Sequence, residues 1–341
     1  SMVFSLVSTP VSAAETGQLT NPPTSTEELS SPESISGNEA ASALNGLSVL
    51  AANGEAEVTT ASELTGALAD SSISRITLKG DIDIGSTLTV NRTVTLDLNG
   101  CVLKMTGSDS VIKVEADGDL TIQDRNTTTQ HKFNPHCKYL TWYIDMWELD
   151  NGGSEIVSGG VITGGGGDQS NGGGVLVAGG TLVMAGGSIV GCSAMSRGGG
   201  VCNNGTFIMS DGMIKGCTSP DGQYASGGGV RNSNQFTMTG GMIGDPDNEN
   251  DASHVYNTSS QETTLTISGN AKIYTDITNV GILNADGGEI AGTMTNDTNR
   301  YGTGTITGSE GAAGSTKFQD KVTNNGTIRK GTFTNEVINE S

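Results

Sequence analysis

TLVMAGGSIVGC (residues 181–192), TFIMSDGMIKGC (206–217) and QFTMTGGMIGDP (235–246) are three versions of one phrase, and their reading decides the fold. A weaker fourth version, TLTISGNAKIYT, occupies 264–275. Stacking the copies gives one column of Val157, Met184, Met209, Met238 and Ile267, spaced 27, 25, 29 and 29 residues apart. A second column, Ile162, Ile189, Ile214, Ile243 and Ile273, is spaced 27, 25, 29 and 30. Two columns drifting in step mark an internal repeat. GGGV blocks beginning at Gly172, Gly198 and Gly227 punctuate it.

Helical repeats need runs of helix formers, whereas this region is rich in Gly, Thr, Asn and β-branched pairs. Leucine-rich repeats need their Leu spacing and an Asn ladder, and neither is read here. A coil of three short strands joined by Gly turns fits, each coil lying about 4.8 Å above the last with equivalent residues forming inward ladders. Upstream, ITL (76–78), VTLDL (94–98), VIKV (111–114) and LTI (120–122) carry the period of two expected of short strands. Before them, TTASELTGAL (59–68) pairs Thr60 with Glu63 in a capping box and sets Leu64 and Leu68 on one face. One short helix is predicted there.

The phrases ELTGAL, ITLKGDIDI, VTLDLNGCVL and VIKVEADGDLTIQD (63–124) resemble the first coils of right-handed parallel β-helix proteins with the pectate-lyase-like fold. GGVITGG, GGGVLVAGGTLVMAGGSIVGC and VTNNGTIRKGTF are similar to repeats of secreted or wall-associated proteins from anaerobic Gram-positive bacteria. The resemblance covers roughly 57–340. It implies an all-β, three-sided right-handed parallel β-helix whose first coil is capped by the predicted helix. It decides no activity, because this fold hosts lyases, hydrolases, adhesins and inert spacers.

Composition narrows the function classes. The 51 glycines are about twice the usual share and show no collagen period. A formal charge of −20, with only 17 Lys and Arg, argues against nucleic acid as partner and against docking on an anionic membrane. No apolar run is long enough to span a membrane. Residues 1–14 read as the remnant of a secretory signal, with Met2, Val3, Phe4, Leu6 and Val7 ahead of small residues. Residues 15–56, rich in Ser, Thr, Glu and Pro, read as a disordered linker. The β-helix is expected over 57–341, and the absence of a visible closing element reads as truncation of a longer chain. Five cysteines leave at least one unpaired, which suits a reducing niche better than a disulfide scaffold. Cys192 and Cys217 share one repeat phase, and buried free thiols are expected there.

The candidate sites begin with an insertion at about 125–152, HKFNPHCKYLTWYIDMWELD at its centre, which holds both tryptophans. Trp142, Tyr143 and Trp147 beside Asp145 and Glu148 have the composition of a sugar platform, flat rings for a pyranose face and carboxylates for its hydroxyls. The competing reading is a miniature core holding the insertion against the scaffold. His131, His136 and Cys137 match no strong zinc spacing. Asp245, Asp247 and Asp251, with Glu249, alternate as in the start of a calcium loop, but Asn250 and Tyr256 stand where such a loop needs Gly and Glu. No cofactor is expected beyond that calcium candidate. Polysaccharide lyases of this fold pair calcium carboxylates with an Arg or Lys base, yet the arginines here are scattered. Repeat phase sets Leu176, Cys202 and Arg231 in one row without a catalytic pattern. The expected molecule is a secreted or cell-wall-associated recognition module, adhesin-like or glycan-binding, with an extracellular glycan or surface ligand as partner. The alternatives are a polysaccharide lyase or glycoside hydrolase, and an inert spacer.

Overall fold

A computed structural model describes residues 54–138, 145–166, 171–219, 227–248, 251–258, 262–299, 302–308, 316–329, 332–333 and 336–339. Alternation of apolar and polar residues becomes three strands per turn of the chain. Arg75–Leu78, Ile82–Ile84 and Leu88–Val90 form the first coil, and Thr93–Asp97, Val102–Met105 and Ile112–Val114 form the second. Each strand pairs in parallel with its equivalent one coil away. The third face alone is a 10-stranded sheet running from Leu88–Val90 to Val337–Asn339. The first two faces merge into one 19-stranded sheet, because Thr181–Val190 and Thr206–Lys215 each run through the corner between them. The molecule is a three-sided parallel β-helix.

The repeat columns are its interior files. Met184 registers with Met209, Met209 with Met238 and Met238 with Ile267, all fully buried. Ile162, Ile189, Ile214, Ile243 and Ile273 register likewise and continue into Ile290, Phe318 and Phe333. In a neighbouring file the rings of Phe207 and Phe236 stack 4.5 Å apart at 10°.

Two expectations need correction. Val157 does not belong to the methionine file; the residue below Met184 is Ile122. Val157 instead pairs antiparallel with His131 inside the insertion, which interrupts the third coil between its first and second strands. An Asn ladder, read as absent, is present on the third face. Val90, Val114 and Val177 begin an interior file that continues as Asn203, Asn232, Asn257, Asn279, Asn296, Asn324 and Asn339. Each amide Nδ2 donates to the next Oδ1, at 2.7 Å for Asn203, Asn232, Asn257 and Asn296, 2.8 Å for Asn279 and 2.9 Å for Asn324. Nδ2 groups also donate to carbonyls at the start of the following strands, such as Gln235 O and Ile282 O. An amide carries both donors and an acceptor, so a buried column of them can satisfy itself coil after coil.

The N-terminal end is closed as predicted. Strand Glu55–Val58, which begins inside the stretch read as linker, adds to Arg75–Leu78 with Ala56 and Val58 inward and Glu55 and Glu57 paired to Arg75 and Lys79. The helix Ala61–Ala69 starts at the Thr60–Glu63 capping box and buries Leu64, Ala67 and Leu68. Its last carbonyls lack intrahelical partners, and Arg92 supplies them. Nε donates to Leu68 O at 2.9 Å and Nη2 to Ala67 O at 2.8 Å, while Nη1 reaches Ile73 O, beyond the helix, at 2.6 Å. Only a guanidinium fans out three such donors. Arg92→Lys is therefore expected to destabilise the cap by about 1–3 kcal/mol, read as faster amide exchange across 61–69 with coils near the centre unchanged.

Candidate functional site

Insertion strands Gln130–Lys138, Asp145–Leu149 and Glu155–Ser158 form a small antiparallel sheet. Its base is tied by Asp124, whose Oδ1 accepts the Gly100 N–H and Oδ2 the Gly160 N–H, both at 2.7 Å. Beside it Asp97 is fully buried; burial pushes its carboxyl up, but bonds from Gln123 and Arg125 outweigh this and hold it below its ordinary value.

Trp147 docks the sheet on the β-helix. It is buried with Phe133, Val157, Val102, Val161 and Val190, the last three from the scaffold's second face. Phe133 lies 6.4 Å from its ring, Lys215 Nζ lies 4.2 Å from the ring centroid, and its backbone N–H donates to Gly216 O at 3.2 Å. Gly216 has φ +59°, and a Cβ there would meet the indole at 2.1 Å, so the close approach requires glycine. The indole is thus a packing element, and no open face of it is left for a sugar. Glu148 is exposed on the same strand. Trp142 and Tyr143 lie outside the described residues, as does the side chain of Asp145. His131 donates from Nε2 to Gly100 O at 3.0 Å; the side chains of His136 and Cys137 are not described.

The acidic turn is organised around Lys215. Lys215 Nζ meets Asp245 Oδ2 at 3.3 Å with both side chains nearly buried. Asp245 Oδ1 accepts the Asp247 N–H at 3.1 Å. The two oxygens of Asp251 accept the Gly216 N–H at 3.1 and 3.2 Å. Burial raises the Asp251 carboxyl above its ordinary value, and the charge of Asp245 adds to the rise. Among the described residues, no three of His, Cys, Asp and Glu converge as metal ligands; Glu249 is outside them. Cys192 and Cys217 are free and buried, and burial holds the Cys217 thiol well above its ordinary value.

A second surface was only half seen in the sequence. Leu176, Cys202, Arg231 and Tyr256 do form one row, on the outward positions of the third face. The Arg231 guanidinium lies 5.5 Å from the Tyr256 ring centroid, within reach of a cation–π contact. Its Nε is buried without a hydrogen-bond partner among the described residues. Burial, and then repulsion from Arg197, lowers its pKa. Among the described residues neither Arg197 nor Arg231 pairs with a carboxylate, in a chain of net charge −20. Repeat phase revealed the row; the neighbouring charge of Arg197, from the loop of the preceding coil, had no sequence signal.

Residues 55–158 match a protein family described as "Putative pectate lyase-like adhesive domain". The match runs from the capping strand through the helix and first two coils to the end of the insertion. No curated protein and no solved structure matched the chain. Among the described residues no helix is long and apolar enough to cross a membrane.

Proposed function

We propose that this chain is an adhesin-like module of the extracellular surface that recognises a glycan or other surface ligand along the sides of its β-helix. The family match over the first coils and insertion supports the adhesive reading. The observation that carries it to a ligand is the Arg197, Arg231 and Tyr256 surface. Two cations without carboxylate partners among the described residues, one of them beside an aromatic ring, suit a carboxylate or sulfate group on a sugar. Trp142 and Tyr143 are the second contact proposed, with Asp145 and Glu148 toward sugar hydroxyls.

A glycan array and a polysaccharide-degradation assay on one preparation test this. Binding of acidic glycans without product release is expected, and Arg231→Gln should weaken it at least about tenfold, the loss of one charged hydrogen-bonding pair. Product release would instead make it a lyase or hydrolase. Unchanged binding in both Arg231→Gln and Trp142→Ala would remove both surfaces from the proposal.

A further inference from the structure

The Lys215–Asp245 pair belongs to neither of the proposed ligand surfaces. Lys215 ends a second-face strand of one coil, and Asp245 opens the turn after the equivalent strand of the next, 30 residues later. Their side chains are 9% and 5% exposed. Trp147 covers the ammonium, and Val190, in register with Lys215 on the coil below, belongs to the same apolar cluster as Trp147. Two opposite charges in such a place are costly to desolvate, and an ion pair recovers that cost only with further hydrogen bonds. A neutral linkage between the same atoms removes the cost.

We propose that Lys215 and Asp245 condense into an intramolecular amide that joins adjacent coils. The ammonium first passes a proton to the carboxylate, leaving a neutral amine against a carboxylic acid. Nζ then attacks Cγ, so an Nζ–Cγ bond forms and one Cγ–O bond breaks. That oxygen leaves as water, carrying the carboxyl proton and one proton from nitrogen. No oxidant, metal or cofactor is consumed. The 3.3 Å contact between Nζ and Asp245 Oδ2 holds the amine beside the carboxyl group it would attack, and reactants fixed side by side gain effective molarities of about 10⁵ M and above once aligned. Asp251 positions the nucleophile, since its oxygens hold the peptide N–H that follows Lys215. The indole roof keeps out the water that reversal would need.

Mass spectrometry of the intact, denatured chain is the test. The expected mass is below the sequence mass by one water. Trypsin should fail after Lys215, giving a branched species in which 198–231 is joined to 232–272. Lys215→Arg and Asp245→Ala should each restore the sequence mass. Asp245→Asn should keep the branch, with ammonia as the leaving group. An unaltered mass with a free peptide ending at Lys215 would overturn the proposal, whether or not the variants fold. So would a water deficit without the branch, which marks a cyclised aspartate elsewhere.

Discussion

Trp147→Ala is expected to destabilise the insertion by about 3–5 kcal/mol, the range for truncating a fully buried indole. The ring is 1% exposed and joins Phe133 and Val157 of the insertion to Val102, Val161 and Val190 of the scaffold. Its removal also uncovers Lys215. The effect should be local, because coils of a solenoid touch only their neighbours. Limited proteolysis should cut within 125–158 at low protease while the fragment 171–258 stays intact. Hydrogen exchange should show the same boundary. A variant whose insertion resists protease like the parent would mean that the sheet is held by other contacts, and that Trp147 is free for another task.

Asn257→Val should show the next largest effect, and its size should depend on position. Asn257 accepts from Asn232 and donates to Asn279 and to Ile282 O. Valine fills the same space but strands a donor on one side and acceptors on the other, each about 1–3 kcal/mol when buried. The total expected is about 2–5 kcal/mol, with bonded amides polarising one another along the column. Asn203→Val is expected to cost less, though it strands the Gly205 N–H and Gln235 O as well as Asn232 Oδ1. Asn203 sits directly on Val177, so valine there extends the apolar part of the file by one coil and breaks the ladder only at its end. Urea titrations of both variants decide it. Equal losses at the two positions would show that the amides act singly and not as a column.

The Met and Ile columns were legible because Gly pairs fix the phase of each copy, and inward residues must repeat wherever coils stack. Val157 was misplaced by the same logic. It stands five residues before Ile162, as Met184 stands before Ile189, but that spacing spans a corner the insertion has displaced, so Ile122 fills the position. The Asn ladder was equally legible, in VCN, VRN, VYN, ITN, MTN, VTN and VIN. Taken singly, an Asn at the end of a strand reads as a turn residue, whereas stacking turns it inward. The site was less legible. The predicted cap and the row of Leu176, Cys202 and Arg231 follow from local pattern and phase. The seating of Trp147 on Gly216 joins segments with no common periodicity, and the approach of Lys215 to Asp245 joins aligned phrases at positions whose residues change from copy to copy.

Phasing a crystal of the selenomethionine protein gives the most direct check of the stacked coils. The account predicts that the selenium positions of Met184, Met209 and Met238 form one interior line, with successive atoms separated by roughly one coil spacing of 4.8 Å. Selenium atoms at those residues scattered across the molecule, or standing at its surface, would contradict the parallel β-helix and the site geometry built on it.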